Sequence, residues 1–291
     1  MKNIAFKFIL LLGIVILLFP ARALCTEYGS YAICYDAKPP VSKLLEFEAV
    51  VLDPKVSVDI KKLRKKGVSV FSYLSVGEIN KATKEYKLFL DKKIMVSENP
   101  DWKDSFYVDV SSSEWRAYLL ETAIPEIIKK GFNGLFLDTL DSPLRLMASD
   151  PKKYPKMNVY LCELIKEIRN KFPRIEIIAN NFEGHADEIG PYVDGFNVEE
   201  LISAYDFKTK SYGKIKRSES VERIRRLKKV SEKYGVQIFV VDYVSPGNKK
   251  TALYVYNKVK ELGFVPYIST VNLNKISSHM IYLNENYSQE L

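Results

Sequence analysis

The sequence predicts a single (β/α)8 barrel, an α/β fold. Three observations support this prediction: eight short apolar runs rich in β-branched and aromatic residues, helical segments between most of them, and no glycine-rich phosphate loop after the first run. Continuous apolar runs are typical of parallel strands that are covered on both faces. Eight such alternations favour a closed barrel over an open doubly wound sheet. An open sheet would be expected to carry a glycine-rich loop where this chain has CYDAKPP, residues 34–40.

The eight predicted strands follow one another along the whole chain. They are Ala32–Asp36, Ala49–Asp53, Val68–Glu78, Gly134–Asp138, Ile175–Asn181, Gly195–Glu200, Ile238–Tyr243 and Phe264–Thr270. In the spacers, Ser113 is predicted to cap a helix that Gly131 ends. The interval from Glu78 to Ser113 is long, and its aromatic residues, Trp102 among them, favour order over disorder. They are expected either to stack on a ligand or to pack over the barrel rim.

The N-terminus predicts export. Lys2 and Lys7 precede an apolar stretch, residues 8–19, and Ala21-Arg22-Ala23 then has the pattern of a cleavage site. We therefore predict a signal peptide over residues 1–23, a barrel domain over residues 24–291, and a secreted or periplasmic protein. The alternative is an uncleaved N-terminal anchor. No other segment is apolar enough to predict a membrane span.

Composition argues against several other classes of function. The formal net charge is +8, but runs such as KKLRKKG are typical of solvated helix faces. No nucleic-acid-binding module accompanies them, so a nucleic-acid partner is not predicted. With two histidines and three cysteines, the chain predicts neither a metal site nor a disulfide framework, and we expect no cofactor.

Acidic residues recur where the predicted strands end. They are Asp36, Asp53, Glu78, Asp138, Glu199 or Glu200, and Asp242. In a (β/α)8 barrel the carboxyl ends of the strands form the active site, so these acids are expected to share one polar mouth. Paired carboxylates at such a mouth suit glycoside hydrolysis, in which one acid protonates the leaving oxygen and the other is nucleophile or base. Binding of a divalent cation and structural pairing with lysine or arginine are the alternatives.

Six short motifs, in a fixed order, carry a resemblance to a known family. They are YLSVGE (73–78), a run from Trp102 through FYVDV to Trp115, GFNGLFLDTLDS (131–142), ANN (179–181), VEEL (198–201) and VDY (241–243). With these motifs the chain resembles the glycoside hydrolase family 114 barrel, of the endo-α-1,4-polygalactosaminidase type. Hydrolase domains of Pel exopolysaccharide systems are similar. The resemblance extends from about Tyr31 to Asn284.

The resemblance implies that Asp138 and a glutamate at the sixth strand are the catalytic pair. In the family that glutamate is followed by a small or polar residue and then by leucine, which favours Glu199 over Glu200. Period-two alternation turns only one of the two toward the barrel axis. Plausible contacts to the sugar, each of which could instead be structural, are Asp36, Tyr73, Glu78, Asn180, Asp242, Tyr243 and Tyr267.

The expected function is therefore that of an exported endo-glycosidase whose partner is a polysaccharide. The resemblance implies an α-1,4-linked, galactosamine-rich, partially deacetylated polymer. A cationic polymer also agrees with a mouth that gathers acids, because such a cleft raises the local concentration of positive charge. Two alternatives remain: a non-catalytic carbohydrate-binding or scaffold barrel, and a hydrolase of a neutral glycan. After signal cleavage no stable membrane span is expected.

Overall fold

The computed structural model describes residues 26–287, which form a (β/α)8 barrel, as predicted. The strands are β1 (Tyr31–Cys34), β2 (Ala49–Leu52), β3 (Ser69–Ser75), β4 (Glu78–Asn80), β5 (Met95–Glu98), β6 (Ser105–Val108), β7 (Gly134–Asp138), β8 (Glu176–Asn180), β9 (Gly195–Glu199), β10 (Ser203–Asp206), β11 (Ser211–Lys214), β12 (Gln237–Tyr243) and β13 (Val265–Ser269). Eight of them form the barrel sheet in the order β1-β2-β3-β7-β8-β9-β12-β13. The rings of Tyr31 and Tyr267 lie 5.7 Å apart, so the first and last strands are neighbours.

Helices alternate with the barrel strands. They are α1 (Val41–Leu44), α2 (Ile60–Lys65), α3 (Lys84–Phe89), α4 (Ser113–Tyr118), α5 (Ile124–Lys130), α6 (Ser142–Ser149), α7 (Met157–Lys171), α8 (Ala186–Ile189), α9 (Arg217–Tyr234), α10 (Lys249–Glu261) and α11 (Ser278–Tyr287). The predicted cap at Ser113 is wrong by one residue, because the Ser112 hydroxyl accepts the N–H of Trp115. Gly131 ends α5 in a left-handed conformation, as predicted. No helix within residues 26–287 is long and apolar enough to cross a membrane.

Strand β7 is typical of how the barrel strands pack. Leu135, Phe136 and Leu137 are buried, on alternating faces of the strand. Gly134 is required at its start, because a Cβ there would lie 2.2 Å from the Phe71 ring of the neighbouring β3. The strand is therefore held on both faces up to Asp138, its last residue.

The third predicted strand, Val68–Glu78, is divided in two. Strand β3 ends at Ser75, and the N–H groups of Val76 and Gly77 then donate to the Thr139 hydroxyl at 3.2 and 2.9 Å. The chain turns there, and Glu78 begins β4, which pairs with β6 and β5 in a small antiparallel sheet. Glu78 is therefore not the end of a barrel strand, which corrects the sequence prediction.

The predicted signal peptide, residues 1–23, lies outside the described residues. Its cleavage and the start of the domain at residue 24 stay predictions.

Candidate active site

Three neighbouring strands end in the polar residues at the centre of the mouth. Asp138 ends β7, Asn180 ends β8 and Glu199 ends β9. The amide nitrogen of Asn180 donates to Asp138 Oδ1 at 2.7 Å and to Glu199 Oε1 at 3.2 Å. The two carboxylates proposed as the catalytic pair therefore lie side by side and share one donor.

A chain of buried hydrogen bonds fixes the orientation of that amide. The Tyr31 hydroxyl donates to Asn197 Oδ1 at 2.8 Å, and Asn197 Nδ2 donates to Asn180 Oδ1 at 2.6 Å. Because the oxygen of the Asn180 amide is occupied as an acceptor, its nitrogen must face the two carboxylates. Sequence reasoning missed Asn197, although a polar residue two positions before Glu199 lies on the same face of the strand.

Tyrosines complete the inner wall of the mouth. The Tyr73 hydroxyl donates to Asp138, and the Tyr243 hydroxyl donates to Glu199. The ring of Tyr35 packs edge-on against Tyr73, with 5.2 Å between the ring centroids. Tyr35 was also missed, because its neighbour Asp36 is the acid that follows the apolar run of the first strand.

Each of the three central strands is followed by a residue in the left-handed region. Thr139, Asn181 and Glu200 have φ values of 59°, 49° and 58°. This conformation is uncommon for residues other than glycine and persists only where the surroundings hold it. The Asn181 side chain accepts the N–H of Glu199 at 3.0 Å, which braces one such corner. The corners turn the chain sharply, so that the residue before each one faces the mouth.

The corner at Glu200 separates the roles of the two consecutive glutamates. Glu199 contacts Asn180 and Tyr243 in the mouth, whereas Glu200 Oε1 accepts the N–H of Tyr205 at 2.9 Å. Tyr205 belongs to the β10–β11 hairpin that follows. The geometry thus places Glu199 beside Asp138 and leaves Glu200 to hold the base of the hairpin.

Arg223 on α9 supports this region from outside the barrel. Its guanidinium donates to the backbone oxygen of Glu199 at 2.6 Å, to Asn181 Oδ1 at 3.2 Å and to Glu183 Oε1 at 2.7 Å. These bonds fix the backbone on either side of the corners and leave the Glu199 carboxylate free to face the mouth.

The surroundings of the two central acids favour different protonation states for them. Burial, reinforced by the negative charge of Asp138, raises the pKa of Glu199 to about 7. Burial also raises the pKa of Asp138, but hydrogen bonds from Asn180, the Thr139 N–H and Tyr73 oppose the shift. A proton near neutral pH is therefore expected to reside on Glu199, beside an ionised Asp138.

Two of the residues predicted to contact the sugar, Glu78 and Asp36, form hydrogen bonds within the protein. Glu78 is buried, and its carboxylate accepts bonds from Asn99 Nδ2 at 2.8 Å, from Ser105 Oγ at 2.6 Å and from Ser142 Oγ. It joins the small sheet to the start of α6. Asp36 is partly exposed, and its Oδ1 accepts the N–H of Lys38 at 2.9 Å in a local turn.

Two further predicted contacts are fully enclosed. Asp242 Oδ1 accepts the N–H groups of Ile202 and Ser203 at 2.9 and 2.8 Å, and burial raises the pKa of this carboxyl to about 7. The Tyr267 hydroxyl accepts the N–H of Ser277 at 3.2 Å. These bonds hold both side chains within the framework of the barrel, although Asp242 Oδ2 has no hydrogen-bond partner among the described residues.

Most acids of the mouth have no cationic partner. Within residues 26–287, no ion pair involves Asp36, Asp53, Asp138 or Glu199, whereas Asp141 pairs with Arg145 at 3.1 Å. The mouth therefore carries more negative than positive charge, although the whole chain is basic.

Comparisons with known proteins agree with this fold. The model of the glycoside hydrolase family GH114 matches residues 22–285. The glycoside hydrolase domain of PelA from Pseudomonas aeruginosa is 25% identical, with a TM-score of 0.76 over 86% of this chain and 98% of that one. Ega3 from Aspergillus fumigatus, solved in complex with galactosamine, is 14% identical, with a TM-score of 0.66 over 85% of this chain and 93% of that one.

A third solved structure shares the fold alone. The α-galactosidase TtGalA from Thermus thermophilus is 11% identical, with a TM-score of 0.55 over 92% of this chain and 64% of that one. No curated protein sequence shows significant similarity to the chain. The family match, however, covers most of the sequence. The chain therefore belongs to glycoside hydrolase family GH114 and is a glycosidase.

Proposed function

We propose that the protein is an exported endo-glycosidase that cleaves α-1,4-linked, galactosamine-rich polysaccharide with Asp138 and Glu199 as its catalytic pair. The observation that carries the proposal is the pair itself, two partly exposed carboxylates bonded to one amide in a mouth with unpaired acids. The complex of Ega3 with galactosamine supports the choice of sugar. The N-terminal sequence supports export.

The shared amide also favours retention of the anomeric configuration. Asn180 Nδ2 donates to Asp138 Oδ1 at 2.7 Å and to Glu199 Oε1 at 3.2 Å, so these two oxygens lie no more than about 6 Å apart. Such closeness fits the separation of about 5–5.5 Å between the carboxyl groups of retaining pairs better than the about 6.5–9.5 Å of inverting pairs. At the shorter separation no water fits between the second carboxylate and the anomeric carbon, so that carboxylate itself acts as nucleophile.

The pKa shifts of the two carboxyls support a division of roles between them. Glu199, whose pKa is raised to about 7, holds the proton that the leaving oxygen requires, and it takes a proton from water in the second step. Asp138, which accepts bonds from Asn180 and Tyr73, is the nucleophile that forms the glycosyl intermediate. Tyr243 and Asn180 orient Glu199 through their hydrogen bonds.

The acidic mouth predicts a preference for polymers that carry free amines. We expect one galactosamine polymer to be cleaved faster before chemical N-acetylation than after it, and the difference to shrink as salt rises, because exposed charges are screened. Release of reducing ends, followed across a salt series, measures this. Proton NMR of the first products should show the α-anomer.

Two results would contradict parts of this proposal. Equal rates for both polymers at every salt concentration would leave substrate choice to shape alone. If the protein cleaves a neutral glycan but no α-1,4-galactosamine polymer, the proposed substrate is wrong, while the assignment as a glycosidase stands.

A further inference from the structure

Two aromatic side chains meet in solvent at the mouth of the barrel. Trp102 and Phe207 are 57% and 54% exposed, and their rings pack edge-to-face with 5.5 Å between centroids. We call this pair the aromatic bridge. A contact whose only role was to tie two loops together would be expected to bury both rings, yet more than half of each remains in contact with water. Exposed apolar side chains that lie together, unlike those scattered singly, are a mark of binding sites.

The aromatic bridge joins loops from well-separated parts of the barrel. Trp102 lies between β5 and β6, in the excursion that follows β3, and Phe207 lies at the tip of the β10–β11 hairpin, which follows β9. In the barrel order β3-β7-β8-β9, two strands stand between these points, and they end in Asp138 and Asn180. The bridge therefore spans the part of the rim next to the proposed catalytic pair.

Both halves of the bridge are held in place from below. On one side, Arg145 donates to Asp101 at 3.1 Å, next to Trp102, and also to Asp141. On the other side, Phe207 packs at 90° to the Tyr205 ring, with 5.1 Å between centroids, and the Tyr205 backbone is bonded to Glu200. The rings thus keep a fixed relation to the loops that follow Asp138 and Glu199.

The charges around the bridge identify what it can bind. Each ring is flanked by one acid and one base, in Asp101-Trp102-Lys103 and Asp206-Phe207-Lys208. The bridge therefore adds no net charge, unlike the acidic mouth beneath it. An uncharged aromatic surface attracts the apolar C–H face of a pyranose ring, whether or not the sugar nitrogen is acetylated.

We propose that the aromatic bridge is a sugar subsite that holds a pyranose unit of the polymer outside the cleavage point. The proposal rests on the proposed function for the identity of the polymer. The aromatic bridge differs from the acidic mouth in one respect: its contribution to binding is independent of salt and of N-acetylation of the sugar. It also gives the enzyme a preference for long chains, because a short substrate cannot occupy both the bridge and the catalytic pair.

Intrinsic fluorescence gives a direct test, because Trp102 and Trp115 are the two tryptophans of the chain and Trp115 is buried. The test uses the full chain carrying Glu199→Gln, which is expected to bind the oligosaccharides and to cleave them too slowly to disturb the titration. Titration with galactosamine oligosaccharides should change the emission of Trp102. In the same background Trp102→Phe should abolish the change while leaving affinity close to that of the parent, since an aromatic ring remains.

Calorimetry in the same background supplies the affinities. Trp102→Ala is expected to weaken binding about 10-fold, by the same factor at low and high salt and for free and N-acetylated oligosaccharides. Val221→Ala, at an apolar position of similar exposure on α9, is the matched control and should leave binding unchanged.

The outcomes separate this proposal from the proposed function. If the oligosaccharides bind and the wild-type protein cleaves the polymer, but Trp102 emission and the affinity of Trp102→Ala do not change, the bridge is not a subsite and the enzymatic assignment stands. If the effect of Trp102→Ala vanishes at high salt, the bridge acts through charge and the stacking argument fails. If no galactosamine oligosaccharide binds and none is cleaved, both the subsite and the proposed function are wrong.

Discussion

Replacing Asp138 by asparagine, or Glu199 by glutamine, is expected to lower turnover of a galactosamine polymer by about a thousand-fold or more, with the barrel still folded. The first change removes the nucleophile, and the second removes the proton donor. Both substitutions keep the shape of the side chain and a hydrogen-bonding oxygen, so the contact with Asn180 can persist. Reducing-end release measures turnover, and circular dichroism monitors the fold.

Glu200→Gln is the matched control for this prediction. Its side chain can still accept the N–H of Tyr205 through the amide oxygen, a bond outside the cluster of Asp138, Asn180 and Glu199. The variant should therefore keep most of the wild-type rate. A dead Glu200→Gln beside an active Glu199→Gln would shift the catalytic role by one residue. Full activity in all three variants would refute the paired-carboxylate mechanism.

Asn180→Ala is expected to lower kcat by about 100-fold and to move the pH profile toward higher pH. Its amide stabilises the ionised form of both carboxylates, so its loss raises the pKa of each. The acidic limb requires ionised Asp138 and the alkaline limb requires protonated Glu199. Both limbs should therefore move upward together, and rates measured across pH test this.

Two further variants make that result specific. Asn197→Ala removes the donor that orients the Asn180 amide, and should give a smaller shift in the same direction. Asn272→Ala changes an exposed asparagine after β13 and should leave both the rate and the profile unaltered. A stationary profile in Asn180→Ala, at a rate near that of the wild type, would remove the shared amide from the mechanism.

The strand that delivers Asp138 was predictable to the residue. Its sequence combines an apolar run with a preceding turn, and β7 indeed runs from Gly134 to Asp138. The end of the third strand was not predictable in this way. Val68–Glu78 reads as one run, and its break at Ser75 depends on Thr139, more than sixty residues away, accepting the N–H of Gly77.

The buried hydrogen bonds that orient the Asn180 amide could not be predicted from the sequence, for a related reason. Tyr31 and Asn197 are 166 residues apart, and they meet only because the barrel closes. The left-handed corners carry little sequence signal, since Thr139 and Glu200 are of types that rarely adopt this conformation and only Asn181 is of a type enriched there. Local pattern thus located the catalytic candidates, while the contacts that orient them arise from the tertiary structure.

The two small sheets outside the barrel bear on how such an enzyme can evolve. The β4-β6-β5 excursion and the β10–β11 hairpin pair only within themselves and add no strand to the barrel sheet. Insertions, deletions or grafted loops at these places leave the ladders between β7, β8 and β9 untouched. The spacing of the carboxylates therefore does not depend on the loops that contact the substrate. New glycan preferences can arise through exchange of these loops while the catalytic chemistry is retained.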